Sequence, residues 1–153
     1  MKAKFIYLIL CIVSVMTICS SSGYATETIK WYSYNEGMSL GKSEQKKVLL
    51  TFFADWCGYC TKMEKETFTN PQIISFLNKN FIPIKVNYDK DNKIASHYQV
   101  RGLPSTWFFS EDGHQIGSQP GYIPANNLLT ILKYIQSNSY KKMSFGDFTK
   151  IQK

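Results

Sequence analysis

An unbroken apolar run, Val48–Phe53, leads through Ala54-Asp55 into Trp56-Cys57-Gly58-Tyr59-Cys60. The run has the length and continuity of a buried central strand. The residues after it are helical in composition, so the junction delivers a Cys-x-x-Cys pair to the first turn of a helix. A helix N-terminus carries unpaired N–H groups and a partial positive charge, which together stabilise a thiolate on the first cysteine. Cys60, about one helical turn later, lies close enough to close a disulfide onto Cys57. Thiol–disulfide chemistry needs this geometry.

The N-terminal segment decides how much weight the pair carries. Lys2 and Lys4 form a short basic region, Phe5–Cys19 is apolar apart from Ser14 and Thr17, and Ser20–Ala25 is small and mostly polar. Gly23 and Ala25 suit the −3 and −1 positions of a cleavage site, so residues 1–25 read as a secretory signal peptide cut near Ala25. The alternative is an uncleaved membrane anchor, for which the apolar run is short against the ~20 residues of a span. Lipidation at Cys19 is disfavoured by the bulky Ile18 before it. Cleavage removes Cys11 and Cys19 and leaves Cys57 and Cys60 as the only cysteines. An exported chain with one such pair has no general disulfide framework. The bridge closes a loop too short to stabilise much through chain entropy. Chemistry explains the pair better than structure does.

The full sequence of 153 residues has a formal charge of +7, and removing two lysines with the signal peptide leaves +5. The lysines are scattered, at Lys46-Lys47, Lys62, Lys65, Lys79, Lys85, Lys90, Lys93 and Lys141-Lys142, and Arg101 is the single arginine. This is not the clustered basic and aromatic pattern of a nucleic-acid site; the lysines read as solvated surface.

Along the chain, Ile29–Tyr34 reads as a short edge strand. Asn35–Lys47 reads as a helix capped by Asn35 and weakened by Gly37 and Gly41. Cys57–Thr69 is helical. Asn70-Pro71 gives an N-cap followed by proline at the first helical position, opening a helix over Gln72–Asn80. Phe81–Tyr88 is a strand, Asp91–Tyr98 a short helix and Ser105–Ser110 a strand. Glu111-Asp112-Gly113-His114 is a hairpin turn that pairs Gln115–Ser118 back. Pro124–Ser137 is amphipathic, with Leu128, Leu129, Leu132 and Ile135 on one face. Asn138–Lys153 is a polar tail with a short helix over Ser144–Ile151. This order gives an α/β fold with a central mixed sheet and helices on both faces.

Val100-Arg101-Gly102-Leu103-Pro104-Ser105 places a proline just before a strand. Together with Trp-Cys-x-x-Cys it resembles the thioredoxin superfamily, in which a cis-proline loop faces the cysteine pair. The resemblance covers about Lys47 to Ser137. Within the superfamily it resembles the C-terminal periplasmic domain of the thiol:disulfide interchange protein DsbD. That likeness is carried by Ala54–Cys60, Glu64–Phe68, Asn70–Gln72 and Gly102–Pro104. It implies a thioredoxin fold over residues 26–137 and a secreted or periplasmic protein-disulfide oxidoreductase. Cys57 would be the exposed nucleophile and Cys60 the buried resolving thiol. Trp56 would shield the site, while Pro104 presents the backbone of Leu103 to an extended substrate strand. Gly58 permits close approach by a partner. Tyr59 either contacts partners or covers the helix start. Gly58-Tyr59 resembles the dipeptide of the disulfide isomerase DsbC, whereas the DsbD-like surroundings point to a reductase. The resemblance implies no bound cofactor, since the cysteine pair carries the electrons. It implies exported disulfide proteins as substrates, a thiol electron donor such as a membrane carrier, and a monomer.

The chain departs from the family at Thr51, where a buried acid normally stands six positions before the first cysteine. A hydroxyl is no base near neutral pH. Glu64, on the helix face of Cys60, is the alternative acid–base group, or else a solvent-facing residue paired with a helix lysine. Three other readings have weaker support. Metal binding by the cysteines with His97 or His114 suffers from long spacing. Covalent haem attachment is excluded as a local motif because Thr61, not histidine, follows Cys60. A non-catalytic thioredoxin-like binding module remains open because of Thr51. The Trp107-Phe108-Phe109 run reads as core.

Overall fold

Strand β1 (Lys47–Phe53) is the axis of the computed structural model, which describes residues 27–151. Its partners are β2 (Phe81–Asn87), β3 (Ser105–Phe109) and β4 (Gln115–Pro120). The sheet order is β2-β1-β3-β4. β2 runs parallel to β1, and β3 and β4 are each antiparallel to their neighbour, so the sheet is mixed. The helices are α1 (Tyr34–Ser43), α2 (Gly58–Glu66), α3 (Pro71–Asn80), α4 (Asn92–His97), α5 (Ala125–Gln136) and α6 (Phe145–Ile151), with a 3-10 turn at Ser139–Lys141. The segment read as a signal peptide lies outside the described residues. Among the described residues no helix is long and apolar enough to cross a membrane.

Alternation along β1 divides the core. Val48, Leu50 and Phe52 face one side, packed with Ile82, Ile84 and Val86 of β2 and with Met38 and Ala95 of α1 and α4. Leu49 faces the other side, with Met63 of α2, Ile73 and Leu77 of α3, and Leu128, Leu132 and Ile135 of α5. Helices thus cover both faces, as the element order predicts. Leu129 is only half-buried at the edge of the α5 stripe.

Local chemistry sets the boundaries. Asn70 Oδ1 accepts hydrogen bonds from the backbone of Gln72 (2.9 Å) and Ile73 (3.4 Å), and Pro71 opens α3. Helix α2 stops at Glu66, short of Thr69: the Phe68 N–H turns back to the Met63 carbonyl at 3.0 Å, out of helical register, and the Thr67 hydroxyl donates to the Ile123 carbonyl at 2.7 Å. The tail helix α6 buries Phe148 next to Tyr134, whose hydroxyl donates to the Met143 carbonyl at 2.6 Å.

Three sequence expectations need correction. Ile29–Tyr34 is not a strand. It makes a single parallel bridge, Tyr32 to Ile84, because Lys30 N–H bonds the Asn78 side chain and the chain turns into α1 at Tyr34. Helix α1 has Ser33, not Asn35, at its N-cap, and its glycines are packing residues. A β-carbon at Gly37 would overlap Ile84, and one at Gly41 would sit 2.6 Å from Val48 Cγ2. The lysines are not all solvated: Lys47 is buried against Glu111, and Lys85 is largely covered.

Candidate active site

The end of β1 and the start of α2 build the site. Cys57 N–H returns to the Ala54 carbonyl at 3.1 Å, closing the turn after the strand. Cys57 then takes the N-cap position of α2, where side-chain acceptors satisfy unpaired helical N–H groups. Here the acceptor is its own sulfur, which receives the Cys60 N–H at 3.1 Å. The two cysteines form a disulfide with Cα atoms 5.2 Å apart.

Opposite the disulfide, the Leu103–Pro104 peptide bond is cis. Pro104 is buried, its carbonyl accepts from Gly121 N–H at 2.8 Å, and Leu103 packs against the cysteines. Phe53 and Tyr88 complete this packing. Trp56 and Tyr59 stand outward, 69% and 66% exposed, on either side of Cys57 in sequence. A β-carbon on Gly58 would meet nothing within 4 Å, so the helix start is open to a partner.

A chain with a disulfide at the N-cap of a helix, packed against a cis-proline loop, on a sheet ordered β2-β1-β3-β4, matches a known family. Residues 34–136 match the model of the thioredoxin-like domain. The chain belongs to the thioredoxin-like family. Among its relatives, thioredoxin of Mycoplasmoides gallisepticum is 36% identical over 91 residues, covering 60% of this chain and 86% of that protein. The thiol:disulfide interchange protein DsbD of Haemophilus ducreyi is 36% identical over 92 residues, 57% of this chain but only 16% of DsbD. A thioredoxin from Thermus thermophilus superposes with a TM-score of 0.65 at 25% identity, covering 71% of this chain and 87% of that one. A Cys-x-x-Cys disulfide at the N-cap of a helix in a thioredoxin-like fold is chemically equipped for thiol–disulfide exchange.

The structure corrects one site expectation. Cys57 is not an exposed residue beside a buried one: Cys57 and Cys60 are 6% and 8% exposed. In the oxidised form the Cys57 sulfur is turned onto Cys60 and the helix N–H, and Leu103 packs over the pair.

Beneath the disulfide lies a cavity of about 250 Å³, lined by Cys60, Pro104, Thr51, Met63, Glu64 and Lys85 among others. Thr51 is buried, with its hydroxyl 3.5 Å from that of Thr106, its β3 partner in the sheet. Glu64 reaches the same cavity, but its partner is not a helix lysine. Glu64 Oε2 lies 2.5 Å from Nζ of Lys85, on β2. Lys85 Nζ also lies 4.7 Å from the Phe53 ring centre, and Lys85 pairs in register with Thr51.

Two residues escaped sequence reasoning. Lys85 is signalled by a charge at an alternate position of an otherwise apolar strand. Asp89 follows the carboxyl end of β2, where ligand-facing groups collect in α/β sheets. Its Oδ2 accepts the Trp56 indole N–H at 2.9 Å. His97 ends α4 beside Tyr98, and His114 lies in the β3–β4 hairpin. Among the described residues no three His, Cys, Asp or Glu side chains gather as a metal-binding group.

Proposed function

We propose that this thioredoxin-like chain is exported to the periplasm and there reduces disulfides in other exported proteins through a Cys57–Cys60 dithiol–disulfide cycle. The observation that carries this reading is the disulfide at the N-cap of α2, set against the cis Leu103–Pro104 loop. The cycle balances with two electrons. The Cys57 thiolate attacks one sulfur of a partner disulfide, and the other partner sulfur leaves as a thiolate. Cys60 then attacks Cys57, forming the intramolecular disulfide and releasing the second partner thiolate. Trp56, Tyr59 and the open face at Gly58 form the contact surface around Cys57, and the Leu103 backbone receives an extended strand of the partner.

Export rests on the signal-like sequence of residues 1–25 and on the resemblance to the periplasmic domain of DsbD. The chain spans about a sixth of the length of DsbD (16%), so what DsbD as a whole does is carried over only as part of this proposal. Electrons come from another thiol protein, such as a membrane thiol:disulfide carrier, and no bound cofactor takes part. Gly58-Tyr59 favours a second reading, an oxidase or isomerase using the same cysteines; an oxidase rests oxidised, whereas an isomerase, which must attack a disulfide, rests reduced.

Replacing Cys60 with Ser tests the cycle: mixed disulfides to exported proteins should accumulate through Cys57. A variant that traps no partner, alongside a wild type that turns over no model disulfide, would leave only a non-catalytic binding module. Alkylation of the thiols in cells then sets direction. A mainly reduced pair supports the reductase or isomerase, and a mainly oxidised pair the oxidase.

A further inference from the structure

The match to the thioredoxin-like domain ends at residue 136, yet the chain beyond it is built into the structure. Tyr134 of α5 clamps it. The Tyr134 hydroxyl donates to the Met143 carbonyl at 2.6 Å, and its ring centre lies 5.4 Å from that of Phe145 and 5.2 Å from that of Phe148. Phe148 is buried by this packing, whereas Phe145 stays 40% exposed. The Phe145 ring forms one wall of a groove of about 310 Å³. Its other walls include Ile131 and Asn127 of α5, Gln119 of β4 and the loop residues Tyr122 and Ile123. None of the residues that line it is charged, so a charged side chain entering it would lose water without gaining a partner.

The groove continues from the disulfide site. Gly121, at φ 84°, turns the chain out of β4, a conformation that glycine adopts freely. Its N–H donates to the carbonyl of the cis Pro104 at 2.8 Å. The Tyr122 hydroxyl donates to Glu66 of α2 at 2.7 Å, and the Ile123 carbonyl accepts from Thr67 at 2.7 Å. One wall thus hangs from the cis-proline loop and from the helix that carries the disulfide, and the other from the C-terminal tail. Both walls are fixed before a partner arrives, which lowers the ordering cost of binding.

We infer that this groove is a second docking site for the polypeptide being reduced: it takes an extended, uncharged stretch that flanks the partner's disulfide and seats an aliphatic or aromatic side chain against Phe145. This rests on the oxidoreductase reading above. The volume lies near the ~300 Å³ lower bound of ligand cavities, which suits a short extended segment and not a folded element. The exposed side-chain amides of Asn127 and Gln119 offer hydrogen bonds to the backbone of that segment. Contacts here are remote from the reacting sulfurs and equal in ground and transition states. They select among partners through KM and leave the exchange at Cys57 unaltered.

The test uses the purified protein and three substrates: a small aromatic disulfide that ends short of the groove, a peptide disulfide flanked by Ser and Gly, and the same peptide with Leu and Phe along both flanks. kcat/KM for the Leu/Phe peptide should exceed that for the Ser/Gly peptide about tenfold, the gain from seating one apolar side chain. The gain should sit in KM. Phe145→Ala should cut the preference to about threefold or less and leave the rate with the small disulfide within about twofold. Asn127→Glu, at an exposed helix position, should also remove the preference and favour a Lys-flanked peptide instead. Equal kcat/KM for the two peptides in the wild type overturns the inference and leaves the oxidoreductase reading intact. A preference that both variants retain does the same, because it then resides at Trp56 and Tyr59. A dimer at assay concentration that Phe145→Ala dissociates overturns the inference in favour of a second copy of the chain. A wild type that reduces none of the three substrates overturns both. If Phe145→Ala does not fold, Asn127→Glu decides alone.

Discussion

The indole N–H of Trp56 donates to the carboxylate of Asp89 at 2.9 Å, tying the residue before Cys57 to the loop after β2. That loop is itself fixed, since Asn87 Oδ1 accepts from the backbone N–H groups of Asp89 (3.0 Å) and Lys90 (3.1 Å). Trp56 is otherwise largely exposed, so this one bond orients the ring that the proposed function sets in the partner-contact surface. Replacing Asp89 with Ala should raise KM for a protein disulfide about threefold to tenfold, the cost of roughly one hydrogen bond. It should leave kcat and the unfolding midpoint nearly unchanged. Steady-state reduction of insulin at varied substrate concentration measures the split. A fall in kcat at constant KM would show that Asp89 acts in the chemistry and not in placing Trp56.

Gly41 is a packing residue, because a β-carbon there would lie 2.6 Å from Val48 Cγ2 and 3.3 Å from the Lys46 carbonyl oxygen. Alanine normally stabilises a helix relative to glycine. Here overpacking outweighs that gain, and Gly41→Ala should lower stability by about 1–3 kcal/mol. Urea unfolding followed by circular dichroism reads the shift. A more stable variant would mean that α1 slides on β1 without loss.

The buried Lys47 donates to Glu111 at the start of the β3–β4 hairpin. Burial opposes ionisation of Glu111, but the Lys47 hydrogen bond, a backbone hydrogen bond and the charges of Lys47 and Lys141 outweigh it and bring its pKa below 4.5. A carboxylate whose pKa is depressed by folding adds stability above its unfolded value and loses it as the pH falls through the folded value. Stability of the wild type should therefore fall more steeply below about pH 4.5 than that of Glu111→Gln. Unfolding midpoints measured from neutral pH into the acid range compare the two. Parallel profiles would show that the pair has no linkage to folding.

Much of the fold is readable in the sequence where one local rule acts without competition. The Val48–Phe53 run gives β1, Asn70-Pro71 gives the start of α3, and Asp112-Gly113 gives the hairpin. The Cys57–Cys60 junction and the Pro104 loop are equally legible, because motif and backbone requirement coincide there. Other features depend on partners distant in the chain. Ile29–Tyr34 has strand-like alternation, but the Asn78 side chain captures Lys30 N–H. Gly37 and Gly41 look like helix defects until β1 and β2 are placed beneath them. Glu64 has lysines on its own helix, yet pairs with Lys85 across to the sheet. The burial of Cys57 follows from closing the disulfide under Leu103, which periodicity does not encode.

The central claim is that Cys57 is the nucleophile of a redox cycle, and insulin reduction driven by dithiothreitol tests it most directly. The wild type should precipitate the insulin B chain faster than dithiothreitol alone, and Cys57→Ser should fall to the uncatalysed rate while retaining the wild-type fold by circular dichroism. Equal turnover by Cys57→Ser and wild type, or a wild type no faster than dithiothreitol alone, would contradict the account.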